Sequence, residues 1–167
     1  RRVLKEGDII GLDFGVVLDG YFGDGAVTVP VGRVSREAST LMRVTRESLH
    51  LGIAAARPGS RLSDVSAAIQ NFVESRGLHV TREYTGHGVG REMHEGPQVP
   101  NYGTAGTGVP LRSGMTIALE PMVLVGTSET RVLSDQWTVV SADGSLTAHF
   151  EHSVAVTEGE PLILTVL

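Results

Sequence analysis

The sequence implies an α+β chain in which two helices pack on one face of a mainly antiparallel sheet. Three features carry this: a β-hairpin signal near the start, two successive helical stripes in the middle, and short strands between glycine-rich turns from His79 onward. Ile9 to Val17 is apolar and rich in β-formers, Asp19-Gly20 is a strong two-residue turn signal, and Tyr21 to Val31 reads as the returning strand. Ala38, Leu41, Met42, Thr45, Leu49, Gly52, Ile53 and Ala56 recur at three- and four-residue steps, the stripe of an amphipathic helix that Arg57-Pro58-Gly59-Ser60 ends. A second helix is expected with Ser60 as its N-cap, with Leu62, Val65, Ala68, Ile69, Phe72 and Val73 on one face, and with Gly77 as its C-cap. Further strands are expected at Met115 to Leu119, Met122 to Val125, Trp137 to Ser141, Leu146 to Val156 and Leu162 to Val166. Asn101 to Pro110, rich in Gly, Thr and Pro, reads as a surface loop and a candidate active-site rim.

At 167 residues with 41% hydrophobic and 20% charged, the chain has the size and composition of one domain with a core of its own. Its 14 Lys and Arg against 19 Asp and Glu give a net charge of -5, which argues against a nucleic-acid partner needing a basic face. No apolar run reaches the roughly 18 residues of a membrane span, and Arg1-Arg2-Val3-Leu4-Lys5-Glu6-Gly7-Asp8 has no apolar signal-peptide core, so no membrane partner is expected. The absence of cysteine excludes disulfides, a thiolate nucleophile and Cys-ligated zinc or iron-sulfur sites, and agrees with a cytoplasmic protein. Metal chemistry here must use oxygen and imidazole.

Four carboxylates interrupt apolar, strand-like runs. Asp13 lies in the first strand of the hairpin and Asp24 in the second. With Asp19-Gly20 as the turn pair, Asp13 faces Ala26 and Asp24 faces Gly15, so both carboxylates stand on one face as diagonal neighbours about 7 Å apart. A different loop length would put them on opposite faces, with one Asp capping a turn and the other exposed on an edge strand. Glu120 and Glu151 sit in Ile117-Ala118-Leu119-Glu120-Pro121-Met122 and His149-Phe150-Glu151-His152-Ser153-Val154, where an outward-pointing strand residue is the alternative to a buried, paired one. If the four converge without Lys or Arg, they repel unless cations neutralise them, and two divalent ions match four negative charges. Carboxylates with an imidazole suit Mn, Fe, Co or Zn. Thr85-Gly86-His87-Gly88-Val89-Gly90 and Arg91-Glu92-Met93-His94-Glu95-Gly96-Pro97 supply two histidines beside glycines, without the spacing of a dinucleotide loop or of a zinc-binding helix. Any one histidine taken singly, including His50, His79 and His149, reads as a structural loop residue.

The ordered set Asp13, Asp24, His87, Glu120 and Glu151 resembles that of the type I methionine aminopeptidases, with Gly86 to Gly90, His94 to Val99, Gly114 to Met122 and Glu151-His152-Ser153-Val154 as the most specific pieces. The resemblance runs over essentially the whole chain. It implies the pita-bread fold, with residues 1–167 forming a single catalytic domain that corresponds to the C-terminal major part of that fold. It also implies a dinuclear centre of two divalent ions (Co, Mn, Fe or Zn) held by those five residues. His94 would contact the scissile amide, Glu120 would double as the catalytic proton carrier, and Met93 and Trp137 would stand near the pocket for the methionine side chain. The implied activity is removal of the initiator methionine from nascent polypeptides near the ribosome by a monomeric enzyme. Asp13-Phe14-Gly15 and Gly20-Tyr21-Phe22-Gly23-Asp24 look more like the proline-specific members, whereas Phe150 to Thr157 follows the methionine type. The alternatives are therefore a proline-specific peptidase, or an inactive binding module of the same fold. The resemblance further implies an N-terminal portion before Arg1, including a catalytic histidine, without which the segment is not expected to fold stably alone.

Overall fold

A computed structural model describes residues 3–166. Strand β1 (Ile9–Leu18) and strand β2 (Tyr21–Pro30) form the expected hairpin, with Asp13 opposite Ala26 and Gly15 opposite Asp24. The turn residues Asp19 and Gly20 both have positive φ, 51° and 81°. This is the left-handed pair that a two-residue hairpin turn demands and that Asp-Gly tolerates.

Helix α1 (Arg36–Ala55) starts at Ser35, whose side chain accepts from the Ala38 N–H at 3.0 Å, and it buries Leu41, Val44, Leu49 and Ile53. Helix α2 (Leu62–Glu74) buries Leu62, Val65, Ile69 and Val73. Its N-cap is Arg61, not Ser60 as expected. Asp64, in the first turn, reaches back to accept from the Arg61 N–H at 2.7 Å, while the Ser60 carbonyl is taken by the Leu111 N–H. The C-cap is Ser75 rather than Gly77 as expected; Gly77 lies two residues further on, with φ 72°.

The remaining strands are β3 (His79–Val80), β4 (Thr85–Gly88), β5 (Glu95–Pro100), β6 (Thr116–Leu119), β7 (Met122–Leu124), β8 (Thr130–Val132), β9 (Val139–Ser141), β10 (Thr147–His149), β11 (Glu151–Ala155) and β12 (Leu162–Ile163). Among the described residues every strand pair is antiparallel. The main sheet runs β1-β2-β11-β6-β4-β5 with β12 on β11, a second sheet runs β10-β7-β3, and β8 and β9 pair separately. The expected strand from Leu146 to Val156 is two strands in two sheets, broken at Phe150. Its partners break at the same level: β6 ends before Glu120-Pro121 and β7 begins after them. Proline has no N–H to donate, so the ladder cannot run through Pro121, and both chains bend there together. The strands expected from Trp137 and to Val166 are shorter, limited to Val139–Ser141 and Leu162–Ile163.

Both helices cover one face of the main sheet. Ile117, Leu119, Val154 and Val156 point to that face and are buried with Leu41, Leu49, Val65, Ile69 and Val73 in one hydrophobic core. Side chains alternate along a strand, so Ala118, Ser153 and their neighbours at the same parity must point to the opposite face. Beyond the helices, Phe14 and Leu18 of β1 are 61% and 75% exposed. None of the helices among the described residues is long and apolar enough to cross a membrane.

Candidate metal centre

Register alone brings the carboxylates together. Asp13 pairs with Ala26, and Ala26 in turn pairs with Glu151 across β2 and β11. The register that sets His152 opposite Leu119 places Glu120 opposite Glu151, just past the end of β6. His87 pairs with Ala118, two residues from Glu120 and so on the same side of the sheet. Asp24, two residues before Ala26, completes the face. Two hydroxyls fix the junction. Ser153 Oγ accepts from the Asp24 N–H at 2.8 Å and donates to the Asp24 carbonyl at 2.9 Å. Thr28 Oγ1 accepts from the His149 N–H at 2.9 Å and donates to the His149 carbonyl at 2.8 Å.

Ligating atoms of Asp24, His87 and Glu151 lie within 4.8 Å of one another. His87 Nε2 is 3.8 Å from Asp24 Oδ2 and 3.5 Å from Glu120 Oε1. Its Nδ1 faces the Gly88 carbonyl at 2.9 Å and can only donate there, which leaves the Nε2 lone pair aimed at the carboxylates. Asp24 Oδ1 and Glu151 Oε1 are buried without a hydrogen-bond partner. Among the described residues, the ion pairs of Asp13, Asp24, Glu120 and Glu151 are all with histidine, none with Lys or Arg.

The electrostatics follow from this isolation. Burial, then Asp24 and Asp13, push the Glu120 carboxyl up to about 8, and burial, then Glu120, Asp24 and Asp13, push Glu151 up to about 9. Asp24 is raised chiefly by burial and then by Asp13, against the opposing effect of His87. Buried carboxylates that lack Lys or Arg and keep unfilled lone pairs fit divalent cations, and the oxygen and imidazole donors suit a borderline-hard metal.

These shifts set the pH dependence of the metal-free chain. Glu120 and Glu151 hold protons in the folded state to about 8 and 9 but release them near 4.5 when unfolded. Their contribution to stability is therefore complete below about pH 4.5 and is lost as pH rises through 8 and 9. Urea midpoints of the metal-free chain should fall from pH 5.5 to 9, and excess Mn²⁺ should abolish the decline. A flat metal-free profile would contradict the burial of these carboxyls.

The other expected site residues are placed as follows. Asp13 is more exposed than the rest and lies 3.8 Å from His149 Nδ1 through Oδ2. The ring of His94 is exposed and 4.4 Å from that of His87. Met93 packs its thioether end over Gly15, where a Cβ would collide with it. Trp137 is 87% exposed in the β8–β9 connection, where its backbone N–H donates to Asp135 Oδ1. The loop from Asn101 to Pro110 is not a rim of this face: Gly106 N–H donates to Asp64 and Thr107 N–H to Ser63, so it wraps the start of α2. Only Asn101 reaches the centre, donating to the Glu120 carbonyl at 3.1 Å. His149, read from sequence as a structural loop residue, sits at the centre, with Nε2 3.7 Å from Glu120 Oε2 and 3.9 Å from Glu151 Oε2. The signal for it was its position two residues before Glu151, on the same face of an extended chain.

Residues 1–158 match the model of metallopeptidase family M24. The chain is 53% identical over 165 residues to the methionine aminopeptidase of Clostridium acetobutylicum, covering 99% of this chain and 66% of that protein. It superposes on the crystal structure of methionine aminopeptidase from Thermotoga maritima with a TM-score of 0.97 at 54% identity, over 99% of this chain and 67% of that one. The prolidase from Pyrococcus furiosus shares the fold, with a TM-score of 0.75 at 23% identity, over 98% of this chain and 43% of that one. The chain thus spans about two thirds of the length of its methionine aminopeptidase relatives. A co-facial set of carboxylates and imidazole on a pita-bread sheet, matched by the family model over nearly its whole length, leads to one assignment: the chain belongs to metallopeptidase family M24.

Proposed function

We propose that this chain is the catalytic part of an aminopeptidase that removes the N-terminal methionine of newly made proteins. The observation that carries the reading is the convergence of Asp13, Asp24, His87, Glu120 and Glu151 on one sheet face. Support comes from a similarity to methionine aminopeptidases above 50% identity that extends over both the hairpin and the rest of the site. Residues 1–167 act as one catalytic unit. The five residues hold two divalent ions, drawn from Co, Mn, Fe or Zn. When bound, such ions polarise the scissile carbonyl and lower the pKa of a water toward about 7.

The chain's own groups divide the remaining work. Glu120, held by Asn101 through its backbone carbonyl, is placed to take a proton as a general base and return it as a general acid. His94, exposed beside His87, reaches from the rim to hydrogen-bond the amide being cleaved. Met93 and Trp137 present apolar surface for the methionine side chain. The substrate is the free N-terminus of a nascent polypeptide near the ribosome, and the protein works in the cytoplasm as a monomer.

The test is a substrate pair assayed with Mn²⁺ or Co²⁺. Cleavage of Met-Ala-Ser with no turnover of Xaa-Pro dipeptides is expected. The reverse preference would assign the chain to the proline-specific branch, and binding without turnover of either would make it a recognition module.

A further inference from the structure

His149 lies at the junction of two sheets. It is the last residue of β10, and Glu151, two residues on, opens β11 in the main sheet. Its backbone is clamped on both sides by the Thr28 hydroxyl, so the ring is aimed by β2 rather than by a mobile loop. Burial holds this imidazole neutral, below the usual histidine range, against the opposing pull of Asp13. Its Nε2 is buried and has no hydrogen-bond partner.

The distances decide what this nitrogen is for. Nε2 stands 3.7 Å from Glu120 Oε2 and 3.9 Å from Glu151 Oε2. Both are too long for hydrogen bonds, which close at about 2.7–3.2 Å. Two donors bound to one ion at about 2.1 Å lie roughly 3.0–3.5 Å apart at octahedral or tetrahedral angles. His149 exceeds that range by a few tenths of an ångström, while His87 Nε2 is at its upper edge, 3.5 Å from Glu120, and just beyond it, 3.8 Å from Asp24. The two imidazoles therefore stand in the same relation to the carboxylates, each directing Nε2 at Glu120 and at one further acid. The second acid beside His149 is Glu151, whose Oε1 is itself buried and unpartnered.

We propose that His149 is a metal ligand of this centre, supplying Nε2 as a second imidazole donor beside His87. The inference rests on the metallopeptidase reading and extends its donor set from five residues to six. A second neutral nitrogen softens the centre and favours Zn, Co or Fe over Mn, which prefers oxygen. No change of charge on His149 is involved, since the ring binds in the neutral form it already has.

The test is direct. The full chain, labelled with ¹⁵N-histidine and loaded with ¹¹³Cd²⁺, should show two histidine Nε2 signals split by coupling to cadmium. In His149→Gln one of these disappears and the other stays, and cadmium affinity falls by about 10-fold or more. One split histidine in the unsubstituted chain, unchanged by His149→Gln, would overturn the assignment of His149 while leaving the centre intact. Failure of the unsubstituted chain to take up cadmium at all would remove both the centre and this ligand. The unsubstituted spectrum decides even if the variant does not fold.

Discussion

Glu151→Gln is expected to leave the fold standing while abolishing metal binding and peptidase activity together. Glu151 is 3% exposed, opens β11 beside Ala26, and keeps one carboxyl oxygen without a partner. Burial and three neighbouring acids raise its carboxyl to about 9, so in the metal-free chain at neutral pH it is already the neutral form that glutamine imitates. The variant should therefore be at least as stable as the parent without metal, and its stability should lose part of the decline with rising pH. Metal binding needs the anion, which glutamine cannot become. Loss of a partner merely supporting a ligand already costs about 10- to 100-fold in affinity, so loss of a direct ligand should exceed about 100-fold. Calorimetric titration with Mn²⁺, run beside urea denaturation of both metal-free proteins, checks the two halves. Full metal occupancy and full turnover in this variant would make the dinuclear reading wrong.

Gly86→Ala should cost the chain more than any exposed substitution, and should do so through backbone rather than charge. A Cβ at Gly86 would run into the Ala118 carbonyl oxygen of β6, with the Val99 side chain and carbonyl of β5 only 3.3 Å away. No rotamer relieves a clash with a carbonyl in a sheet ladder, so β4 must part from β6 or from β5. Inserting one carbon into a packed interior usually costs about 1–3 kcal/mol, and here the obstacle is backbone, so a loss above about 3 kcal/mol is expected. Because His87 pairs with Ala118, the same displacement swings its imidazole away from Glu120. Thermal unfolding should show the loss of stability, and metal affinity should fall although no ligand has been changed. An alanine variant with parental stability and metal affinity would show that the strands have slack that the close approach denies.

Much of this arrangement was legible because it depends on local chemistry. Asp19-Gly20 dictates the turn, the turn dictates the register, and the register places Asp13 and Asp24 on one face. The helical stripes are equally local, since burial at Leu41, Leu49, Val65 and Ile69 follows from spacing. What escaped depended on partners distant in sequence. Strands β4 and β5 are built mostly from Gly, His, Glu, Pro and Gln, with Thr85 and Val99 their only β-branched residues, and their ladder is imposed by β6, not by propensity. The break at Phe150 answers to Pro121, a residue on the neighbouring strand. Arg61 displaced Ser60 as the cap because Asp64 could reach back and Leu111 had claimed Ser60. His149 shows both sides: its parity with Glu151 was visible, but the clamp by Thr28 that makes the position meaningful was not.

The neighbouring of β2 and β11 also sets when an ion can be acquired. Residues 26 and 151 are adjacent in space but separated by most of the chain, and the proposed donors run from Asp13 to Glu151. Closing so long a loop costs entropy that only the finished sheet repays, and topologies built from such contacts fold slowly. In small zinc domains the ligands lie close in sequence and metal drives the chain to fold. On the proposed donor set an unfolded chain would offer a passing cation only pieces of the site, such as His149 and Glu151, so metal would not serve as the folding nucleus and would arrive last, as a latch on strands already paired. Once seated, it would tie the first strand to the eleventh, so that β1 and β11 could not part without first letting it go.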